Sequence, residues 1–170
     1  IMNINLKKIP YNPDFIWISP PCTSFSVSSI GSYYCTDRGI YTPKKAETFL
    51  GMALVQKGID IIKYFKPKYW YIENPRGVLR KLGIMEGLPR HTIWYCQYSD
   101  PSGDDHRAKP TDIWTNDELW TPRSVCKNGN RNCHHQPAPR GSKSGTQGMK
   151  NAYERSTIPP QLFYEILKDK

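Results

Sequence analysis

Two short stretches decide the fold of this chain: residues 14–22 read DFIWISPPC, and residues 69–75 read YWYIENP. Each begins with an apolar, aromatic-rich run that is typical of a buried strand. The first run leads into Pro21-Cys22 and the second into Glu73-Asn74, so a thiol and a carboxyl each follow a strand. The sequence therefore predicts reactive side chains at the ends of two strands.

A long amphipathic helix is predicted between the two strands. Apolar residues recur at helical spacing from Lys44 to Phe65, and Thr42 is available as the N-cap. A strand, a helix and a second strand in this order form a parallel pair joined by a right-handed crossover. Because the carboxyl ends of parallel strands lie at one edge of a sheet, we expect Cys22 and Glu73 to lie close together.

The rest of the chain continues the alternation of strands and helices. We predict a Ser- and Gly-rich loop at 20–42, strands at 91–98 and 111–115, a loop-like region at 116–157 and a last helix at 160–167. This order predicts an α/β fold.

The charge of the chain favours a polyanionic partner. Among 170 residues there are 24 Lys and Arg against 15 Asp and Glu, a net charge of +9. Each phosphate that a basic side chain neutralises releases counterions, so nucleic acid is the expected partner. The alternative is a basic protein whose charge only keeps it in solution.

The cysteines and the hydropathy indicate the setting. An odd number of cysteines, five, at irregular spacing argues against a disulfide framework. No apolar run is long enough to span a bilayer and no segment has the layout of a secretory signal, so we expect no membrane contact. These features favour a reducing, cytoplasmic setting, in which a thiolate nucleophile survives.

The order of Pro21-Cys22 and Glu73-Asn74 resembles the catalytic centre of the cytosine-C5 DNA methyltransferases of phage and bacterial type. The resemblance implies that Cys22 adds to C6 of a cytosine flipped out of double-stranded DNA, that Glu73 protonates N3, and that Asn74 braces the Cys22 loop. It implies S-adenosylmethionine as the methyl donor. It also implies a partial Rossmann-like, S-adenosylmethionine-dependent methyltransferase sheet with helices packed on it and a loop-rich C-terminal region.

Further matches extend the resemblance along the chain. Arg107-Ala108-Lys109 is similar to a Gln-x-Arg-x-Arg stretch of the family, which implies that Arg107 contacts the cytosine O2. The segment beginning at Ser156 resembles the one beside the cofactor, and Pro21 and Leu54 match positions that line the cofactor pocket. The alternatives are a basic loop bound to nothing or to phosphate only for the first match, and ordinary core for Leu54.

The same resemblance gives the expected DNA contacts and domains. Residues 23–42 fit a mobile lid over the flipped base. The expected domains are a catalytic half at 1–115, a reduced target-recognition segment at 116–157 and a returning helix at 158–170. The residues expected to contact nucleic acid are Ser26, Arg76, Lys109, Arg131 and Arg140.

Residues 126–135 hold two Cys and two His, which are good zinc ligand types. Cys126, Cys133 and His134 are the candidate ligands of a structural zinc. The six-residue gap between the cysteines departs from the usual spacing, and the adjacent His134 and His135 cannot easily both ligate, so the pattern argues more against zinc than for it.

Family members open with a Gly-rich turn that cradles the cofactor, and no such turn follows a strand here. We therefore expect a chain truncated at its N-terminus, with a partner chain that could supply the missing half. Two alternatives to DNA methylation remain open. One is an RNA cytosine-C5 methyltransferase, and the other is a catalytically silent nucleic-acid-binding fragment.

Overall fold

The computed structural model describes residues 3–139, 141–142, 146–149, 151–168 and 170. Its strands are β1 Phe15–Ile18, β2 Tyr34–Asp37, β3 Ile40–Pro43, β4 Tyr69–Pro75, β5 Arg90–Trp94 and β6 Pro110–Thr115. Its α-helices are α1 Ile30–Tyr33, α2 Ala46–Phe65, α3 Ala152–Ser156 and α4 Pro160–Leu167. Short 3-10 turns lie at Leu6–Lys8, Val27–Ser29, Leu79–Lys81, Gly83–Met85 and Tyr95–Gln97.

The larger sheet follows the order β1-β4-β6-β5, and β2 with β3 forms a separate antiparallel pair. Strand β1 pairs in parallel with β4, from Phe15 opposite Tyr69 to Ile18 opposite Ile72. The predicted strand–helix–strand unit and the α/β fold are therefore confirmed.

The described chain divides into two compact units. Unit 1 comprises residues 1–91 and 112–118, and unit 2 comprises residues 92–111 and 119–170. The domains predicted from the sequence stay a prediction.

Helix α2 supplies one wall of the core of unit 1. Its buried face includes two glycines, and a Cβ at Gly58 would come within 3.0 Å of the Ile18 side chain. The small residue thus lets the helix pack closely against β1. The buried members of the core cluster are Phe25, Tyr34, Val55, Ile59, Ile72, Val78, Leu79, Leu82, Met85 and Trp114.

The prediction of a plain loop over 20–42 is wrong, because this segment contains α1 and the β2–β3 hairpin. Arg38 and Gly39 turn the hairpin with φ of 45° and 85°, the two positive values that a type I′ turn requires. Thr42 therefore belongs to a strand, and Lys45 is the residue at the N-cap position of α2. The Arg-Gly pair is a weaker hairpin signal than Asn-Gly, which explains why the sequence pattern missed it.

Unit 2 has little regular structure outside its strand residues and its two C-terminal helices. The strand predicted at 91–98 ends at Trp94, because Tyr95–Gln97 form a 3-10 turn. The helix predicted from Pro160 to Leu167 is confirmed, with Leu162 and Ile166 buried. In the described part of the chain, no helix combines the length and the apolar character needed to cross a bilayer.

Candidate active site

The two sequence stretches that end in Cys22 and Glu73 meet at neighbouring strand ends. Ile18 and Ile72 are paired residues of β1 and β4, and both strands run in the same direction. Just beyond this pair, the Nδ2 atom of Asn74 donates a hydrogen bond of 2.9 Å to the carbonyl of Pro20. Asn74 is fully buried. A side chain next to Glu73 thus holds the backbone that leads into Cys22.

The turn at Cys22 is closed by its own backbone. The Cys22 carbonyl accepts hydrogen bonds from the amides of Phe25 and Ser26, at 2.9 and 3.0 Å. Phe25 is buried in the core of unit 1, which anchors the turn, whereas Cys22 is half-buried. The thiol therefore sits on a fixed loop and keeps part of its surface accessible.

Backbone contacts also join the loop after Cys22 to the loop after Asn74, and we call these contacts the seam. The Val78 amide donates to the Phe25 carbonyl at 2.8 Å, and Ser26 forms an antiparallel bridge with Gly77. A Cβ at Gly77 would lie 2.0 Å from the Phe25 carbonyl oxygen. Only glycine permits this approach. The sequence interpretation missed Gly77, because a glycine after a strand is also typical of an ordinary turn.

Glu73 is a nearly buried carboxyl, with 6% of its surface exposed, inside β4. Burying a carboxyl costs free energy unless polar groups form hydrogen bonds with it. Glu73 lies between buried Ile72 and buried Asn74. Because β4 is hydrogen-bonded to β1 on one side and to β6 on the other, its backbone fixes the direction of the Glu73 side chain. The carboxyl of β4 and the thiol of the Cys22 loop thus lie on backbone segments that the Asn74 hydrogen bond joins.

Arg107, which belongs to unit 2, is 1% exposed and contacts protein acceptors. Its Nε donates to the Asp105 carboxylate at 2.9 Å, and its Nη2 donates to the same carboxylate at 2.9 Å. Its Nη1 donates to the carbonyls of Glu154 and Arg155 at 2.8 and 2.7 Å. The guanidinium therefore ties the residues just before Ser156 to the Asp105 loop, and these contacts engage most of its five N–H hydrogens.

The predicted cofactor residues occupy different surroundings. Pro21 is exposed, and Leu54 is half-buried on α2. Ser156 is an exposed residue that ends α3, and its hydroxyl donates to the Tyr153 carbonyl at 2.7 Å. The Ser156 oxygen can therefore only accept a further hydrogen bond.

The predicted nucleic-acid contacts are also unequal. Arg76 and Arg131 are exposed, and Ser26 is half-buried within a group of three serine hydroxyls. Lys109 is 8% exposed, and its Nζ lies 4.7 Å from the centre of the Tyr95 ring. Arg140 lies outside the described residues. Of the four described residues, the two exposed arginines have the best access to a phosphate.

Unit 2 also holds a cluster of thiols and one imidazole. The ligand atoms of Cys96, Cys126, Cys133 and His135 all lie within 4.8 Å of one another. Burial raises the pKa of the Cys96 thiol and lowers the pKa of the His135 imidazole. The neighbouring His134 instead contacts Ser99, with 2.9 Å between Nε2 and Oγ.

The cluster differs from the zinc ligands predicted from the sequence. It shares Cys126 and Cys133 with them, has His135 where we predicted His134, and adds Cys96. The sequence did not indicate Cys96 as a ligand, because it lies far from the Cys-His segment at 126–135 and spacing rules apply only to ligands that are close in sequence. A signal was available, since a buried-strand pattern directly precedes Cys96 and would bury the thiol.

Comparisons with known proteins agree with these features. The family model of the C-5 cytosine-specific DNA methylases matches residues 1–83, which include Cys22, Glu73 and Asn74. A probable DNA (cytosine-5)-methyltransferase of Frog virus 3 (isolate Goorha) is 32% identical over 174 residues, covering 93% of this chain and 76% of that protein. No solved structure matches the chain.

The class follows from the parallel strand ends, from the hydrogen bond that joins the Cys22 loop to the Glu73-Asn74 strand, and from these matches. The chain belongs to the C-5 cytosine-specific DNA methylase family, whose members are methyltransferase enzymes. The family predicted from the sequence is therefore confirmed.

Proposed function

We propose that this chain methylates C5 of cytosine in double-stranded DNA, with Cys22 as the nucleophile, Glu73 as the proton donor and S-adenosylmethionine as the methyl donor. One observation carries the proposal. The hydrogen bond from Asn74 to the Pro20 carbonyl joins the thiol loop to the carboxyl strand at the ends of two parallel strands.

The nucleophilic step belongs to Cys22. Cytosine C5 is a poor nucleophile, and addition of a thiolate at C6 converts the ring into an enamine that is nucleophilic at C5. The half-buried thiol on a turn closed by the Phe25 and Ser26 amides supports this assignment. Once C5 carries the methyl group, loss of the C5 proton expels the thiolate and restores the aromatic ring.

The proton at N3 belongs to Glu73. Thiolate addition at C6 pushes electron density onto N3, so a carboxylic acid that donates there lowers the barrier. The 6% exposure of Glu73 supports this role, because a buried carboxyl is shielded from the water that would compete for the base. Asn74 acts through the Pro20 backbone and is a positioning residue.

Arg107 is better suited to positioning than to base contact. Its guanidinium donates to Asp105 and to the carbonyls of Glu154 and Arg155 within unit 2. We propose that it holds the segment leading to Ser156. The contact with the cytosine O2 implied by the resemblance stays a prediction, and Arg107→Lys tests it because lysine keeps the charge and loses the fork.

Each residue expected to hold S-adenosylmethionine offers a group that suits part of that cofactor. That cofactor would supply a methyl group on a positively charged sulfur. Pro21 is exposed and Leu54 is half-buried outside the core cluster of unit 1, so both have apolar surface to offer an adenine ring. The Ser156 hydroxyl already donates its hydrogen to the Tyr153 carbonyl, so its oxygen could accept one hydrogen bond from the cofactor.

A cytosine of double-stranded DNA would reach Cys22 and Glu73 by base flipping, because its C5 and C6 are inaccessible to a thiol while the base is stacked in the duplex. The net charge of +9 and the exposed Arg76 and Arg131 favour phosphate contact. We propose that residues 116–157 serve as a small target-recognition segment.

Trapping on 5-fluorocytosine tests the proposal. Fluorine at C5 prevents the final proton loss, so a duplex that contains 5-fluorocytosine should stay covalently bound to the wild-type chain in the presence of S-adenosylmethionine. The adduct should be absent in Cys22→Ser and unchanged in Cys35→Ser, since Cys35 is an exposed thiol elsewhere in unit 1. A denaturing gel separates the adduct from free protein.

The same experiment separates the alternatives. An adduct with the matching RNA in preference to the duplex would identify an RNA methyltransferase. Salt-sensitive DNA binding without an adduct, equal in wild type and Cys22→Ser, would instead identify a silent binding module.

A further inference from the structure

We infer that unit 2 contains a structural zinc site formed by Cys96, Cys126, Cys133 and His135. The four side chains come from two distant segments, and their ligand atoms lie within 4.8 Å of one another. Three of the four residues are buried and Cys133 is half-buried. Three thiols and one imidazole are a usual donor set of structural zinc.

The spacing of the ligand atoms suits a tetrahedral metal. Zn–S bonds of about 2.3 Å and Zn–N bonds of about 2.0 Å place tetrahedral ligand atoms roughly 3.5–3.8 Å apart. The Cys126 Sγ and the His135 Nδ1 are 3.6 Å apart. The remaining separations do not exceed 4.8 Å. Closing them to the zinc value takes about 1 Å, which side-chain rotation supplies.

An apolar cluster of cysteines is the competing interpretation, and His135 argues against it. Cys96, Cys126 and Ala108 do form a small buried group. The imidazole, however, is 3% exposed, and its Nδ1 faces the Cys126 Sγ at 3.6 Å. Burying a polar ring against sulfur atoms costs free energy unless one nitrogen binds something. A metal at Nδ1 accounts for this burial.

Side-chain amides surround the sulfur atoms. The Gln97 Nε2 lies 3.8 Å from the Sγ atoms of both Cys96 and Cys133, and the Asn130 Nδ2 lies 3.6 Å from the Cys126 Sγ. A neutral thiol is a weak acceptor, whereas a metal-bound thiolate is a good one. Donors around the ligands are the outer shell that metal sites use to orient their thiolates.

The loop between the ligands is built to hold them. Asn128 forms a reciprocal pair with Ala138, with its side chain accepting from the Ala138 amide at 2.8 Å and donating to the Ala138 carbonyl at 3.0 Å. Between β6 and α3 the described residues contain no helix or strand. A metal would supply the folding free energy that regular structure and a larger core would otherwise provide.

The site is structural and not catalytic, because protein residues provide all four ligands. A catalytic zinc keeps one position for water or substrate. The proposal is also independent of the methylation chemistry, since Cys22 and Glu73 belong to unit 1. Failure of one proposal therefore leaves the other intact.

Metal analysis of the whole chain tests the site. The protein is purified in reducing buffer with zinc supplied during expression, and zinc per chain is measured by mass spectrometry of the element. We expect one zinc per chain in the wild type, and less than about one tenth of that in the Cys96→Ser/Cys133→Ser double variant. Cys35→Ser and His134→Ala are matched controls, and both should keep one zinc.

Cobalt provides a readout that does not depend on how well the variants fold. Co²⁺ exchanged into the wild-type chain should show the intense visible bands of a tetrahedral site and the sulfur-to-cobalt bands of three thiolates. A reduced wild-type chain without stoichiometric zinc and without these bands would overturn the proposal. So would a disulfide between two of the three cysteines, or loss of metal in His134→Ala together with its retention in His135→Ala.

Discussion

Two regions of this molecule hold reactive cysteines by opposite means. Around Cys22, the backbone determines the geometry: parallel strands align the chain, and main-chain hydrogen bonds close the loops. Around Cys126, side chains determine it, because thiols, an imidazole and amides from distant segments meet outside the α-helices and strands. The difference shows that a cysteine can be held in place either by backbone hydrogen bonds between strands or by side chains that meet around it.

The two regions also differ in what they leave accessible. Cys22 is half-buried beside an exposed proline, as a thiol that must meet a substrate requires. Cys96 and Cys126 are buried, at 3% and 1% exposure, as ligands of a closed metal site are. The same residue type thus suits the nucleophile proposed in one region and the metal ligands proposed in the other.

Removal of the proposed zinc should produce the largest effect, and only in the cluster region, residues 126–136. Structural zinc in small domains contributes on the order of 10 kcal/mol to folding, and the described residues between β6 and α3 contain no helix or strand. Chelation should therefore raise amide hydrogen exchange at residues 126–136 by at least about tenfold. Exchange along the β1–β4 ladder, measured in the same sample, should stay slow.

Readdition of zinc to the chelated chain should restore protection in the cluster region, which controls for damage by the chelator. Equal loss of protection at residues 126–136 and along the β1–β4 pair would contradict the view that metal ligands order the first region and backbone hydrogen bonds order the second.

Glu73→Gln should produce the next largest effect, on methyl transfer and not on DNA binding. Loss of a general acid lowers methyl transfer by about 10²–10⁴-fold. Glutamine keeps the shape of the buried side chain, so duplex binding should change by less than about threefold. Filter binding and single-turnover methylation measure the two quantities. Glu86→Gln, at an exposed glutamate, is the control, and equal activity in both variants would remove Glu73 from the mechanism.

The ladder region was predictable from the sequence because its signals are local. Apolar runs, a helical period and strand-end residues gave the parallel pair and placed Cys22 and Glu73 at one edge. The hairpin in 34–43 was missed, since Arg38-Gly39 is a weak form of the type I′ signal. Gly77 was missed as well, because only the close approach of Phe25 shows why it must be glycine.

The cluster region was only half predictable because its contacts are long-range. Spacing rules found Cys126 and Cys133, but they cannot recruit Cys96, which lies thirty residues before Cys126 in the numbering. They also cannot choose between adjacent histidines, a choice that depends on which ring faces the sulfur atoms. Here that ring belongs to His135, and His134 contacts Ser99.

Gly77→Ala should disrupt the contact between the loop after Cys22 and the loop after Asn74. Its Cβ would lie 2.0 Å from the Phe25 carbonyl oxygen, a backbone atom that cannot rotate away. We expect a loss of about 1–3 kcal/mol in the free energy of unfolding, measured in urea, with lower activity because the Cys22 turn shifts. Gly83→Ala, where nothing lies within 4 Å of the added carbon, is the matched control and should be neutral. The same loss at both glycines would show that the seam is not special.

Asn74→Ala tests the hydrogen bond that joins the thiol loop to the carboxyl strand. It removes the donor to the buried Pro20 carbonyl, and leaving that oxygen unpaired costs about 1–3 kcal/mol. Because Asn74 positions the loop that leads to Cys22, kcat should fall while the KM for DNA stays within about threefold. Asn12→Ala, at an exposed asparagine, controls for the substitution itself. A fall confined to KM would point to DNA contact instead of positioning.

Glu165→Gln should have the smallest effect and decides what holds unit 2 together. Glu165 accepts from the Arg123 guanidinium, but the two side chains are 26% and 42% exposed, so water and salt screen the pair. We expect the free energy of unfolding to change by less than about 1 kcal/mol. The change should be smaller still in about 0.5 M salt, where the electrostatic screening length is roughly 4 Å. Zinc content should not change. If this variant destabilised unit 2 as strongly as chelation does, surface charge and not metal ligation would account for its order.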